Sequence, residues 1–468
     1  MELKTKYLNL VKNVGIFAIS NFAIRVISFV ILPLYTYYLS KAEYAIVDLV
    51  NTTVQLLLPF LSLCVVDALL RFGMSNEYKK ETIFTNSVVV IACGCLFLPL
   101  TLIAFKQFGQ GELEGMEVYF LLIYVLQVFN NLFSAFCKTL DKIKQMAVIS
   151  TIMSVVIIGL NVLFIAVMKQ GIMGYLNALV IGNVLGLLLH VYVCMVPKYF
   201  KKKYFDKRIL RDMLMYSIPL IPNAFFWWIN TSLNKYMLTG MTTLSILGLY
   251  AVANKIPMII STFTSIFSQA WNISAFQTYN DDDREAFYNN TYVLYKNLLL
   301  IGTSVVILLS EVFARFLFSK EFFAAWVFVP ILTIGVYYSS LSGYLGSLFT
   351  ANKQTKYIFY TTAMGAIVNL LLNLVLIRKY EAQGAAIATL CSFFIVWLVR
   401  SIVLHKMMQF QAKCLKEILS FAILLILSFL VLYDNRITFI CAMAITVVFC
   451  FLNARTMYVI IKNRNSKS

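Results

Sequence analysis

Two cations stand where a cation is costly. Arg25 lies in NFAIRVISFVILPLY, a stretch with no other charge, about thirteen residues into an apolar segment that ends near Leu39. Lys255 lies about eleven residues into a second such segment, in the other half of the chain. Asn21 precedes Arg25 by one helical turn and shares its face; Asn254 directly precedes Lys255. A central Arg or Lys costs about 2.5–3.5 kcal/mol on membrane-insertion scales, so such a group faces a polar cavity or a partner. At this depth snorkelling offers little relief. One cation from each half, at similar depth, suits an anionic ligand held in a shared central cavity. The competing expectation is that Arg25 pairs with a carboxylate and only fixes packing, Asp48 being the nearest candidate.

Other polar residues carry weaker signals. Lys235 stands near one end of its segment, and Asp48 and Gln55 lie on the segment after Arg25. Asp67 and Arg71 read as an i, i+4 ion pair. Lys296 and Arg400 lie toward segment ends, where snorkelling is expected. Asn161, Asn369 and Asn373 are expected to bond one helix to another. Pro33, Pro219, Pro222 and Pro257 each remove a backbone donor and predict kinks.

The elements that position these residues follow from composition. The chain is 61% hydrophobic and 13% charged, with a mean hydropathy of +0.82. Soluble domains carry about 45–50% apolar and about 25% charged residues. Apolar runs long enough to cross a hydrocarbon core of about 30 Å recur along the chain. The reading is an all-α, polytopic membrane protein with about 14 transmembrane helices. The segments lie near 13–39, 44–72, 84–106, 116–137, 145–168, 172–196, 213–239, 244–276, 288–316, 323–350, 355–378, 383–408, 416–433 and 437–461. The first is read as a spanning helix and not a cleaved signal, because no small-residue cleavage site follows it. With the N-terminus inside, 24 Lys and Arg fall on inner segments and 8 on outer ones. That bias predicts both termini in the cytoplasm and accounts for the net charge of +18 without nucleic acid.

Catalytic constellations are scarce. The two histidines, His190 and His405, are far apart, and no nucleotide-binding GxxxxGK[ST] loop occurs. Asp281–Asp283 beside Arg284 reads as a solvated turn. The nine cysteines are scattered, with neither a disulfide framework nor metal-ligand spacing indicated. No cofactor is expected beyond coupling to an ion gradient or the membrane potential.

A repeat organises the chain. Thr139-Leu-Asp141-Lys142 after the fourth segment matches Thr350-Ala-Asn352-Lys353 after the tenth. Asn161 matches Asn373, and Gly174-Tyr-Leu-Asn-Ala178 matches Gly384-Ala-Ala-Ile-Ala388, all at an offset of about 210. Two six-helix repeats entering from the same side are related by an axis along the membrane normal. The division expected is a lobe over 1–196, a basic linker and hinge over 197–212, a second lobe over 213–408, and two additional helices with a tail over 409–468.

The opening Asn/Arg pair, LSKAEYAIVDL at 39–49, its counterpart TTLSILGLYAVANK at 242–255 and the two short turns after the fourth and tenth segments resemble the polysaccharide transporter family. That family comprises bacterial flippases for lipid-linked oligosaccharides within the multidrug/oligosaccharidyl-lipid/polysaccharide exporter superfamily. The resemblance implies a V-shaped pair of six-helix lobes alternating between inward-open and outward-open states in the bacterial inner membrane. It implies a polyprenyl-diphosphate-linked oligosaccharide as substrate, and Arg25 and Lys255 fit the role of the cavity cations that hold its diphosphate; Asn21, Asn254, Lys235, Asp48 and Gln55 are the further cavity candidates. Asp48 and Gln55 stand where a further cation would help hold a diphosphate, a departure from related flippases. Helices 13 and 14 resemble those forming a lipid-tail groove. Moving a diphosphate outward carries negative charge down an inside-negative potential, worth about 2.3 kcal/mol per charge per 100 mV. The implied partners are the lipid-linked substrate and the bilayer, with the polymerase and chain-length regulator of the same pathway left open. The alternatives are a cation-coupled multidrug antiporter of the same fold or, further off, a membrane polymerase or glycosyltransferase.

Overall fold

A computed structural model describes residues 29, 31–75, 77–108, 115–278, 284–319, 321–352, 354–408, 410, 414–433 and 435–465. Every regular element among them is a helix. The longer ones, in chain order, are α1 Leu32–Tyr38, α2 Lys41–Leu61, α3 Val65–Gly73, α4 Lys80–Phe108, α5 Glu117–Thr139, α6 Ile143–Asn161, α7 Gly171–Cys194, α8 Lys207–Ser217, α9 Ile221–Met241, α10 Leu244–Ala253, α11 Met258–Gln277, α12 Arg284–Leu308, α13 Ser310–Leu317, α14 Val329–Ala351, α15 Thr355–Met408, α16 Cys414–Leu432 and α17 Arg436–Asn465. Among the described residues nine helices are long and apolar enough to cross a membrane, and α10 with α11, bent by 51°, makes a tenth. The protein is a multi-pass membrane protein.

The difference from fourteen uninterrupted segments has local causes. The second apolar segment is two helices, because Leu63 and Cys64 adopt φ of 50° and 52° between α2 and α3. The 54-residue α15 holds two segments. Glu381, at φ 48° and ψ −126°, reverses the chain. Ser392 Oγ then donates to the Gly365 carbonyl at 2.9 Å, and Arg400 Nε donates to Thr361 Oγ1 at 2.9 Å, which is antiparallel pairing of the two arms. Each proline singled out from the sequence marks a boundary. Pro33 and Pro222 lie in the first turns of α1 and α9, Pro219 in the 3₁₀ turn Ile218–Leu220, and Pro257 in the gap between α10 and α11.

Helix starts follow side-chain chemistry. Ser40 and Glu43 form a capping box: Glu43 N donates to Ser40 Oγ at 3.2 Å and Ser40 N to Glu43 Oε2 at 2.8 Å. The other Glu43 oxygen accepts the Ile172 amide at 3.4 Å, joining the starts of α2 and α7. Thr243 caps α10 more simply, its Oγ1 accepting the Ile246 amide at 3.4 Å.

The described residues form two compact units, dividing between Trp228 and Ile229 within α9. The first unit has a core of Phe84, Phe133 and Phe136, with rings of Phe84 and Phe136 stacked at 4.1 Å. Gly94 of α4 lies against the end of α2; a Cβ there would sit 1.9 Å from the Leu61 carbonyl oxygen. Cys137 and Cys194 are joined as a disulfide, with Cα atoms 6.1 Å apart, so one bridge exists where scattered cysteines suggested none. The basic stretch read as a hinge is strapped to α4. Thr85 Oγ1 donates to the Tyr199 carbonyl at 3.0 Å, Asn86 Nδ2 to the Asp206 carbonyl at 3.0 Å, and the Asp206 amide to Asn86 Oδ1 at 3.2 Å.

The second unit is centred on aromatic rings of α11, α12 and α14. Phe267 stacks on Tyr295 at 4.2 Å and Trp271 on Tyr344 at 4.6 Å. Trp271 Nε1 donates to Ser347 Oγ at 2.6 Å, satisfying the indole that the stack buries.

Candidate functional site

Lys255 does not sit inside a helix. It lies in the four-residue turn 254–257 between α10 and α11. Pro257 has no N–H, so the Ala253 carbonyl loses the donor that a continuous helix would supply. Asn254 closes α10: its Nδ2 donates to the Tyr250 carbonyl at 2.7 Å and its amide to the same oxygen at 3.2 Å. Lys255 is half-buried, and among the described residues no acceptor or carboxylate engages its ammonium. A cation at a helix break, beside backbone groups released from helical bonding, is suited to a polar or anionic ligand.

Tyr250 links this break to α9. Asn234 Nδ2 donates to the Tyr250 hydroxyl and, at 3.0 Å, to Thr389 Oγ1 on the second arm of α15. Lys235, the next residue, is half-buried and has an interaction of its own. One turn earlier Asn230 Nδ2 donates to the Thr362 carbonyl at 3.0 Å, and its Oδ1 accepts Ser392 Oγ at 2.6 Å. Sequence reasoning missed Asn230, Asn234, Thr389 and Ser392. The available signal was the i, i+4 pair of asparagines in INTSLNKY. The asparagines expected to bond between helices do not. Asn161 Nδ2 donates to Ile157 O and Asn373 Nδ2 to Asn369 Oδ1, both within their own helix, at 2.8 Å.

Asp48 and Gln55 lie in the first unit, on α2, two turns apart on one face. Asp48 is half-buried and engaged in an interaction, while Gln55 is exposed. Asn21 and Arg25 lie outside the described residues.

Three other sequence expectations are corrected. Arg400 does not snorkel. It is 2% exposed, and its guanidinium donates to Thr361 Oγ1 at 2.9 Å, Thr362 Oγ1 at 2.9 Å and the Ser342 carbonyl at 2.6 Å. Lys296 does not snorkel either. It meets Glu417 of α16 at 2.5 Å, with the carboxylate fully buried. Asp67 and Arg71 are both exposed and make no ion pair. His190, 210 residues before Arg400 in the sequence, is buried as well. His190 Nδ1 lies 3.2 Å from Asn130 Oδ1, and Asn130 Nδ2 donates to the Asn183 carbonyl at 2.9 Å, as Ser342 Oγ donates to the Phe393 carbonyl at 3.4 Å.

Among the described residues no group of three or more His, Cys, Asp and Glu could hold a metal ion. The arrangement offers ligand contacts.

Residues 10–272 match the family described as polysaccharide biosynthesis protein. The chain belongs to that family. Relatives of this polysaccharide biosynthesis protein include the capsular polysaccharide biosynthesis protein CapF of Staphylococcus aureus, 20% identical over 68% of this chain and 80% of CapF. Another is the probable low-salt glycan biosynthesis flippase Agl15 of Haloferax volcanii, 24% identical over 68% of each chain. The fold is similar to that of the lipid II flippase MurJ in an inward closed conformation: TM-score 0.72 at 16% identity, covering 95% of this chain and 98% of MurJ. It is also similar to an inward-facing multidrug resistance MATE family transporter of the MOP superfamily, TM-score 0.66 at 14% identity, covering 85% and 96%. The fold is thus the polytopic all-α fold of that superfamily. Kin named by activity are flippases and transporters, not enzymes.

Proposed function

We propose that the chain is a flippase that moves a polyprenyl-diphosphate-linked oligosaccharide repeat unit from the cytoplasmic to the outer leaflet of a bacterial inner membrane. The product would feed assembly of O-antigen, capsule or exopolysaccharide. The observation that carries the reading is the family match over residues 10–272, beside relatives named for capsule synthesis and glycan flipping. Lys255, a cation at a broken helix that no described residue engages, supplies chemistry that a diphosphate needs. Arg25 and Asn21 are assigned to the same headgroup, with Asn254 and Lys235 as neighbouring polar contacts and Asp48 and Gln55 as contacts to sugar hydroxyls.

The physics favours this cargo. A sugar headgroup needs a polar path through hydrocarbon, whereas a polyprenyl tail remains in lipid. Alternating access between lobes at 1–196 and 213–408, both termini in the cytoplasm, and drive from an ion gradient or the potential belong to this proposal.

The test is depletion of the protein in cells, followed by extraction and mass spectrometry of polyprenyl-linked intermediates with leaflet assignment. Completed oligosaccharide-diphosphate-lipid held at the inner leaflet is the expected result. Unchanged intermediates and unchanged surface glycan, with a redundant flippase excluded, would overturn the reading in favour of a multidrug antiporter. Completed units held at the outer leaflet would assign the protein to polymerisation instead.

A further inference from the structure

The transport reading leaves a polar groove in the second unit unused. It lies between α12, α16 and α17 and encloses about 360 Å³. The Lys296–Glu417 ion pair forms part of its lining and is neutral as a pair. Around that pair the unspent hydrogen-bonding capacity is specific. Asn297 is 4% exposed, lines the groove, and its Nδ2 donates to nothing among the described residues. A buried amide donor without an acceptor costs about 1–3 kcal/mol when nothing fills its place. Lys416, also lining the groove, is exposed and brings a positive charge that nothing among the described residues neutralises. Ser420 and Thr456 direct their hydrogens to their own helices, to Lys416 O and Leu452 O at 2.9 Å each, which leaves both hydroxyl oxygens able to accept.

One buried donor, one cation and two hydroxyl acceptors call for a ligand with anionic oxygens and hydroxyl groups together. We propose that this groove binds a glycerophosphate group: phosphate oxygens at Asn297 Nδ2 and the Lys416 ammonium, glycerol hydroxyls at Ser420 and Thr456. Such a group exists as the headgroup of phosphatidylglycerol or as a soluble glycerol phosphate. The groove lies toward the start of α16 and the end of α17, the ends that the Lys/Arg distribution assigns to the cytoplasmic face, where a headgroup of that leaflet lies. The site is separate from the Lys255 turn and does not depend on the flippase assignment.

Native mass spectrometry of the full chain in neutral detergent tests this directly. The protein is titrated with phosphatidylglycerol, with phosphatidylcholine and with glycerol 3-phosphate. Preferred retention of phosphatidylglycerol over phosphatidylcholine is expected. Lys416→Ala, at an exposed position, weakens that retention about tenfold, the factor carried by one lost charge-assisted hydrogen bond. Asn297→Leu does the same, and a folded Lys416→Ala keeps the test valid where Asn297→Leu does not fold. Retention of the lipid without glycerol 3-phosphate identifies the leaflet as the source; comparable binding of glycerol 3-phosphate, with the same sensitivity to Lys416→Ala, identifies a soluble ester. Equal retention of both lipids, or retention unaffected by Lys416→Ala, overturns the proposal.

Discussion

The buried pair Lys296–Glu417 allows a quantitative test of how α16 is held. The charges lie 2.5 Å apart, with Glu417 fully buried and Lys296 9% exposed. At an effective dielectric of 20 their gross attraction is about 7 kcal/mol. Desolvation costs several kcal/mol per ion, so the net contribution of the pair against an apolar replacement is close to zero. Removing one partner is different, because the other charge stays behind in a site built for a pair; that costs about 3–5 kcal/mol. Lys296→Met and Glu417→Leu should each destabilise by that amount. The double variant should return to within about 2 kcal/mol of the parent, or exceed it. Reversible unfolding in mixed micelles titrated with sodium dodecyl sulfate, followed by circular dichroism, gives all four free energies. Single-variant losses that simply add in the double variant would refute the argument, since additivity means that the two charges do not interact.

Four further outcomes follow. Lys255→Ala should lower transport of the lipid-linked oligosaccharide by at least about tenfold at equal expression, with Lys255→Arg retaining more activity, as expected of one charge-assisted contact to an anion; undiminished transport by Lys255→Ala in a vesicle leaflet assay would remove that residue from the site. Arg25→Ala should give the same phenotype, and normal transport at equal expression would assign Arg25 to packing. Gly94→Ala should destabilise by about 1–3 kcal/mol through overpacking, because its Cβ meets the Leu61 carbonyl, whereas Gly343→Ala has open space and should not; the detergent titration compares them. Asn130→Leu should cost about 1–3 kcal/mol, since it strands His190 Nδ1, and parent-like stability would show that this bond contributes nothing.

The helical, membrane-spanning class was legible because the apolar runs are long and the alternatives to a helix in hydrocarbon are few. The interruptions were legible only in part. Pro257 announced the break at Lys255, and the gap read between 378 and 383 holds the reversal at Glu381, but Leu63 and Cys64 enter the positive-φ region without a glycine or proline to mark it. Charge placement failed for a different reason. Distance from a segment end predicts snorkelling only where lipid or water lies outside the helix, and around Lys296 and Arg400 other helices occupy that space. Helix α16, read with α17 as an addition to the repeat, is fastened to α12 through Glu417. The polar contacts of α9 were missed because their partners, Thr362, Thr389 and Ser392, are more than a hundred residues away.

Arg400 also constrains which of its neighbours can change. Its guanidinium fills the space beside Gly346, where a Cβ would stand 2.9 Å from Nη1. Any side chain at 346 would press on the guanidinium, and loss of the hydroxyl at 361 or 362 would leave a buried N–H without its acceptor. Each of these positions is therefore free to vary only as far as the arginine allows, and the arginine only as far as they do.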